Sequence, residues 1–204
     1  PNKVRPIIAV VFEPYEILNS KRAIRVPDDM KGLKIRATGG VATLAMETMG
    51  AVAIDSPAPE MYESIQRNTI DGTLSPWGSS QSYKLNEVVK YATNGSMVGG
   101  LAVNWVISEA TWEKLPADIQ QIIMQVGYET SLHLAEVLDT MAADIMKQFE
   151  ADGVQIANIS NEEQQKWIET LTPVADKWAE DISAKGLPGK EVLEETKKLI
   201  QKYR

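Results

Sequence analysis

The stretch 32-GLKIRATGG-40 places two cationic side chains on a short predicted β-strand, followed at once by two glycines and the start of an apolar helical pattern. Lys34 and Arg36 stand two positions apart, so in an extended strand their side chains leave the same face. Strand, glycine turn and helix together indicate the first unit of an open α/β sheet.

The residues that follow repeat the same order of elements. Further strands are predicted at residues 51–55 and 69–77, and helices at residues 41–49 and 59–68, with proline or glycine near their ends. This alternation of strand and helix is typical of a parallel sheet with crossover helices. The sequence therefore predicts the α/β class, with parallel-rich sheets.

A much longer helix is predicted downstream. After Pro116 there is no proline as far as Asp152, and only Gly127 interrupts the helical pattern. A helix of about 35 residues is roughly 50 Å long at a rise of 1.5 Å per residue, which exceeds the usual length of helices in globular domains. We therefore expect this helix to cross more than one packing unit.

Composition and charge exclude several classes of function. The 204 residues carry a formal net charge of −7, and this acidic balance argues against nucleic acid as a partner. The chain has no cysteine and a single histidine, His133, which cannot by itself form a metal cluster or a catalytic triad. No apolar run approaches the roughly 20 residues of a membrane-spanning helix. We expect no cofactor, no metal and no direct membrane insertion.

Arg36 is the first candidate binding residue, because ligands of open α/β sheets lie outside the carboxyl ends of the strands. Thr38 and Gly39 follow it and present backbone N–H groups at a helix start, where an anion is favoured. The guanidinium fork pairs bidentately with a carboxylate, which the ammonium of Lys34 does less well. The alternative is that Lys34 and Arg36 form an ordinary solvated face.

Ser75 and Trp77 are the next candidates, since they emerge at the end of 71-DGTLSPW-77, one predicted strand away from Arg36. A hydroxyl and an aromatic plane beside an arginine would suit an organic acid with an apolar body. The alternative is a strand that simply ends at a proline. Tyr15, together with Glu13 and Glu16, follows an apolar run at Ile7–Phe12 that is predicted to be a buried strand, and either lines a cleft or lies in an exposed loop.

Catalytic groups are not predicted. No nucleophile, base and oxyanion site can be assembled from the sequence, which favours binding without chemistry. The rival hypothesis is an α/β enzyme that acts on a carboxylate substrate, with Arg36 holding the substrate and Asp55 or Asp71 as the base.

Four segments in order, with their spacing, carry a resemblance to a known family: 28-DDMKGLKIRATGG-40, 49-MGA-51, 60-EMYESIQRNTIDG-72 and 104-NWVISEATWEKLPADIQQII-123. The chain resembles the solute-binding proteins of tripartite ATP-independent periplasmic (TRAP) transporters, of the dicarboxylate-binding type, over essentially all of its length. The resemblance implies a two-lobed periplasmic-binding-protein-like fold, with crossing strands and one long helix that runs along both lobes.

The resemblance also implies roles for individual residues. Arg36 matches the family arginine that forms a salt bridge with the ligand carboxylate. Ser75 matches a polar position, often asparagine, that contacts the same carboxylate. Tyr15 and Glu16 stand where some members have a further arginine, so a second arginine clamp is not expected.

The implied organisation has two lobes, with residues 1–14 and 101–140 as the remainder of the first lobe plus the hinge and long helix. Residues 15–100 and 141–204 form the second lobe, which carries the carboxylate-binding strand ends. By the same resemblance the chain is a fragment that lacks the N-terminal third. The protein is expected in the periplasm, where it captures a small organic acid and delivers it to the membrane permease subunits of a TRAP transporter.

Overall fold

The computed structural model describes residues 3–203, in which eight β-strands and seven α-helices are found. The strands are β1 (Val4–Val11), β2 (Glu16–Asn19), β3 (Lys34–Arg36), β4 (Val52–Ile54), β5 (Gly72–Ser75), β6 (Tyr91–Asn94), β7 (Ala102–Ser108) and β8 (Gln155–Asn158). The helices are α1 (Gly40–Thr48), α2 (Met61–Gln66), α3 (Trp77–Ser82), α4 (Glu109–Trp112), α5 (Ala117–Ala151), α6 (Asn161–Ala184) and α7 (Gly189–Tyr203). Within the described residues, none of these helices combines the length and the hydropathy needed to cross a bilayer.

The larger sheet has six strands in the order β4-β3-β5-β2-β6-β8. Five of them run in the same direction, and only β2 is antiparallel to its neighbours β5 and β6. The predicted α/β class with a parallel-rich sheet is therefore confirmed. The carboxyl ends of β3, β4, β5, β6 and β8 meet at one edge, and β2 begins at that same edge.

Strand β2 was not predicted from the sequence, and the interpretation of its first residue as part of an exposed loop is wrong. All four residues of β2 are buried, and Glu16 is only 4% exposed. The strand is four residues long and follows Pro14, so its sequence carries no clear period. Pairing with β5 and β6 on both sides, rather than local propensity, decides its conformation.

The smaller sheet consists of β1 and β7, which pair antiparallel and are largely exposed. Helix α5 packs against β1 and, near its other end, contacts α3 and β8 of the larger sheet. Gly127 of α5 lies directly on β1, because a Cβ atom there would be 2.3 Å from the carbonyl oxygen of Ile7. The prediction of one long helix that crosses both packing units is confirmed. The division into lobes at the stated residues stays a prediction.

The two faces of the larger sheet bury separate apolar cores. One core includes Ile17, Ile35 and Trp167, and helices α1 and α6 cover it. The other includes Leu18 and Phe149, on the side of α2, α3 and α5. With both faces covered, the free edge of the sheet is where side chains at strand ends can meet a ligand.

Candidate functional site

Arg36 ends β3 at the shared edge of the larger sheet and is only 9% exposed. Its Nε–H donates to the carbonyl oxygen of Ser56 at 2.9 Å, and this bond fixes the direction of the guanidinium. Within residues 3–203, neither terminal nitrogen of Arg36 has a hydrogen-bond partner or a salt bridge. The side chain therefore holds two donor nitrogens in a fixed fork, ready for an acceptor.

The electrostatic setting of Arg36 is unusual for an arginine. Burial lowers the pKa of its guanidinium, and the nearby Tyr15, Asp55 and Tyr83 oppose that shift. The charge is partly removed from water and is not matched by an ion pair within the described residues. A bound anion would relieve that cost, because a buried charge is stable only when it is paired.

Ser75 shares the face of Arg36. Arg36 pairs with Thr73 across β3 and β5, and Ser75 lies two residues after Thr73, so the three side chains leave the same side of the sheet. The Ser75 hydroxyl donates to the carbonyl oxygen of Pro76 at 3.2 Å and is almost fully buried. The structure thus brings these two predicted residues to one edge and one face, although no bond joins them.

Tyr15 lies just before β2, at the same edge. Its backbone N–H donates to the carbonyl oxygen of Gly99 at 2.9 Å, which ties the start of β2 to the loop after β6. Burial raises the pKa of the Tyr15 phenol, and the positive charge of Arg36 opposes that rise. The phenol and the guanidinium are therefore electrostatic neighbours.

A groove of about 380 Å³ opens beside Tyr15 at this edge. Its walls come from the start of β2, the turn into α1, β5 and the glycine-rich loop after β6, and they carry no charged side chain. The lining residues are Tyr15, Thr38, Gly39, Gly40, Val41, Ala42, Leu74, Val98, Gly99, Gly100 and Leu101. Three predicted site residues, Tyr15, Thr38 and Gly39, are thus brought together.

The turn into α1 presents free backbone donors to this groove. Gly39 precedes the helix with φ of 87°, a conformation that favours glycine, and no side chain of residues 3–203 caps the helix. The first N–H groups of a helix have no partner within the helix. The N–H groups at the start of α1 can therefore add hydrogen bonds to an anion in the groove.

Trp77 is the first residue of α3, and its ring faces the core rather than the groove. The indole is 3% exposed and meets Phe149 edge-on, with ring centroids 5.4 Å apart and an interplanar angle of 87°. This packing accounts for the burial of the ring. The predicted contact between Trp77 and a ligand stays a prediction.

Glu16, for which the sequence left a cleft wall or an exposed loop open, is buried and holds the loop after β6. Its carboxylate accepts hydrogen bonds from Thr93 Oγ1 at 2.6 Å, Ser96 Oγ at 2.7 Å, the Gly95 N–H at 2.9 Å and the Ser96 N–H at 3.2 Å. These bonds hold the loop after β6, whose residues Val98 and Gly99 form one wall of the groove. The partners are 77 to 80 positions away in sequence, and no local pattern joins them.

Two further acids lie near the edge. Glu13 accepts a hydrogen bond from the Gly78 N–H at 2.7 Å through one oxygen, while its other oxygen is buried without a partner in the described part of the chain. Asp55 follows β4, is exposed, and interacts electrostatically with Arg36. Across residues 3–203, Asp55 makes no hydrogen bond and no ion pair.

The residues of the rival enzyme hypothesis are not assembled around a reacting centre. Asp71 precedes β5, at the opposite edge from its carboxyl end. There it accepts the Lys34 N–H at 2.8 Å and pairs with Lys21 at 3.6 Å. These two contacts occupy the Asp71 carboxylate at the far edge of the sheet, and the hypothesis of Asp71 as a base beside Arg36 is therefore wrong. Within the described residues, no group of three or more potential metal ligands is found.

The structure thus places a buried arginine without an ion pair in the described residues, and the uncapped start of α1, at the carboxyl-end edge of an α/β sheet. Residues 15–181 match the family described as bacterial extracellular solute-binding protein, family 7, also called DctP. The chain belongs to this family.

Individual relatives agree with the family match. The chain is 30% identical over 174 residues to the C4-dicarboxylate-binding periplasmic protein DctP of Rhodobacter capsulatus, covering 83% of this chain and 51% of that protein. A TRAP solute-binding protein from Rhodoferax ferrireducens, solved with copurified benzoate, aligns with a TM-score of 0.87 and 25% identity over 98% of this chain and 63% of that one. A similar protein from Shewanella oneidensis aligns with a TM-score of 0.80 and 24% identity over 94% of this chain and 61% of that one.

The chain spans about half the length of the curated relatives that it matches. The family and the relatives named here are solute-binding proteins and not enzymes, as the sequence predicted.

Proposed function

We propose that this chain forms the carboxylate-holding part of an extracytoplasmic receptor for a small organic acid. The observation that carries the proposal is Arg36, which is buried and fixed through Nε at the carboxyl-end edge of the larger sheet, and whose two terminal nitrogens have no partner among residues 3–203. A guanidinium with this geometry matches the two oxygens of a carboxylate. Arg36 and Ser75 do not line the uncharged groove, which lies beside Tyr15.

The other residues at the edge add hydrogen bonds and shape. The N–H groups at the start of α1, beside Thr38 and Gly39, lie on the groove and can share the negative charge. The Ser75 hydroxyl leaves the same face of the sheet as Arg36. It can donate to or accept from a ligand when it gives up its 3.2 Å hydrogen bond to the carbonyl oxygen of Pro76. In this proposal Tyr15 covers one wall, and Trp77 keeps α3 in place behind the site.

Two relatives support a carboxylate as ligand. The Rhodobacter capsulatus protein is named for binding C4-dicarboxylates, and the Rhodoferax ferrireducens protein holds benzoate. A one-carboxylate and a two-carboxylate ligand share the group that Arg36 would pair with. The proposal for this chain therefore extends to small organic acids as a class.

Capture would proceed by closure of two lobes on the acid, as in hinged binding proteins. In this proposal, residues 15–100 and 141–204 form the lobe with Arg36, and residues 1–14 and 101–140 supply the hinge, the long helix and part of the other lobe. Helix α5 contacts both sheets and is suited to connect them. We further propose a periplasmic location and delivery of the acid to the membrane permease subunits of a TRAP transporter, in keeping with the family.

A thermal-shift screen of the full-length protein tests the class of ligand. Each acid is paired with its neutral amide, for example benzoate with benzamide, so that shape is held nearly constant while charge is removed. A ligand at a hundred times its Kd stabilises the folded state by about 2.7 kcal/mol, which corresponds to roughly 5–10 °C for a chain of this size. We expect at least one acid to give this shift and its amide to give none. Equal shifts with acid and amide, or none with any acid, would refute the proposal.

A further inference from the structure

We propose that Pro57 is a positioning residue of the carboxylate site. By fixing the carbonyl group of Ser56, it holds the Arg36 guanidinium in the orientation that a ligand carboxylate needs. This role rests on the proposed function, because it assumes that Arg36 pairs with a carboxylate. Pro57 itself does not touch the ligand and acts through the backbone carbonyl that Arg36 contacts.

The Ser56 carbonyl is the partner that orients Arg36. It accepts the Nε–H at 2.9 Å, and within residues 3–203 the guanidinium makes no other hydrogen bond and no salt bridge. A guanidinium can meet a carboxylate side-on, through Nε and one terminal nitrogen, or end-on, through both terminal nitrogens. Because Nε is occupied, only the end-on fork is left, and its direction follows the position of the Ser56 carbonyl.

The sheet itself holds the chain only as far as the end of β4. Arg36 is paired with Ile54 across β3 and β4, and the Ala37 N–H donates to the Ile54 carbonyl oxygen at 3.1 Å. Asp55 and Ser56 lie beyond this last pair. The Ser56 hydroxyl is buried and makes no hydrogen bond in the described part of the chain, so it does not anchor the turn. The position of the Ser56 carbonyl therefore needs another constraint.

Pro57 supplies that constraint from the other side. A proline ring fixes its own φ, here −59°, and confines the preceding residue to extended conformations. After Pro57 the chain forms a single 3₁₀ turn, Ala58–Glu60, in which the Glu60 N–H donates to the Pro57 carbonyl oxygen at 3.1 Å. The peptide group between Ser56 and Pro57 is thus held between the end of β4 and this turn. Pro57 is exposed, so its constraint on the backbone, and not core packing, is what a substitution would remove.

Pro57→Ala tests the role in the full-length protein, and Pro59→Ala is the matched control. Pro59 lies in the same turn and is also exposed, but it does not follow Ser56. Isothermal titration calorimetry with benzoate and with succinate, followed by the other acids of the screen, gives Kd for each protein. Removing one proline constraint changes an equilibrium by about two- to fivefold, so we expect Kd to rise about threefold in Pro57→Ala. Pro59→Ala should keep the wild-type Kd.

The Nε–H proton of Arg36 gives a second measurement, which needs no ligand. In a proton–nitrogen correlation spectrum its signal is identified by its loss in Arg36→Lys, and its exchange with water reports how often the bond to Ser56 opens. We expect this exchange to be about threefold faster in Pro57→Ala than in wild type, and unchanged in Pro59→Ala. A general loss of stability would lower the melting temperature without this selective change at Nε.

Three results would overturn the role of Pro57. An unchanged Kd in Pro57→Ala, or an equal rise in both proline variants, would refute it while the proposed function survived. A higher Kd with unchanged exchange at Nε would place the loss outside the bond to Ser56 and would refute it as well. A wild-type protein that binds no acid of the screen would overturn the proposed function and this role together.

Discussion

The hydrogen-bonded carboxylate of Glu16 gives the most demanding prediction for stability. Four donors from Thr93, Gly95 and Ser96 surround it at 2.6 to 3.2 Å, and the residue is almost fully buried. Glu16→Ala would leave these donors in a space closed to water. A buried donor without a partner costs about 1–3 kcal/mol.

The expected loss is smaller than the sum over four donors. The hydroxyls of Thr93 and Ser96 already lie 3.0 Å apart and can bond to each other once the carboxylate is gone. The two backbone N–H groups of the loop cannot find such a substitute without moving. We therefore expect Glu16→Ala to lower the free energy of unfolding by about 3 kcal/mol, and Glu16→Gln, which keeps the shape, by about half as much.

Urea unfolding followed by tryptophan fluorescence measures these changes, with the exposed Glu47→Ala as control. The loop that Glu16 holds forms a wall of the groove, so ligand affinity should fall in the same order of variants. A loss below about 1 kcal/mol in Glu16→Ala, or an affinity that is unaffected, would refute the assignment of Glu16 as the residue that holds this wall.

Two further predictions concern the packing of α5 and the entry to α6. Gly127→Ala should destabilise the protein by about 3 kcal/mol or more, because the Cβ of the new alanine would lie 2.3 Å from the carbonyl oxygen of Ile7 and the backbone must move. A wild-type melting temperature for this variant would contradict the close packing of α5 on β1. The hydrogen bond from Arg25, with that from Ser160 next, lowers the pKa of Glu163 to about 2. The ionised Glu163 carboxylate therefore stabilises the folded state fully above the ordinary pKa near 4.5, and this stabilisation is lost as the pH falls toward 2. Melting temperatures should fall more for wild type than for Glu163→Gln across that interval. Parallel curves for the two proteins would exclude this role of Glu163.

The elements with a long or regular period could be predicted from the sequence. The helical pattern after Pro116 predicted both ends of α5 to within a residue, because a helix of 35 residues repeats its apolar face many times. At the start of α6, Ser160 and Glu163 form a capping box, which is likewise a local pattern of residues three positions apart. Arg36 was found because a cation at a strand end before a glycine turn has a local pattern.

The residues that depend on distant partners could not be predicted in this way. Strand β2 is short, and its place between β5 and β6 is determined by strand pairing across the sheet. Glu16 stands close to Glu13 in the sequence, with no local pattern that names its partners, and only the fold brings its donors from the loop after β6. The burial of the Trp77 ring also depends on a distant partner, because its contact with Phe149 of α5 joins residues 72 positions apart.

The central claim is that the Arg36 guanidinium pairs with the ligand carboxylate. Calorimetric titration of the best acid from the screen into wild type, Arg36→Ala and Lys34→Ala tests it directly. Lys34 is a cation of the same strand, but it is exposed and has no part in the site. We expect a loss of about a hundredfold or more in Arg36→Ala, equivalent to about 2.7 kcal/mol, and less than threefold in Lys34→Ala. An affinity of Arg36→Ala within threefold of wild type, or equal losses in both variants, would contradict it.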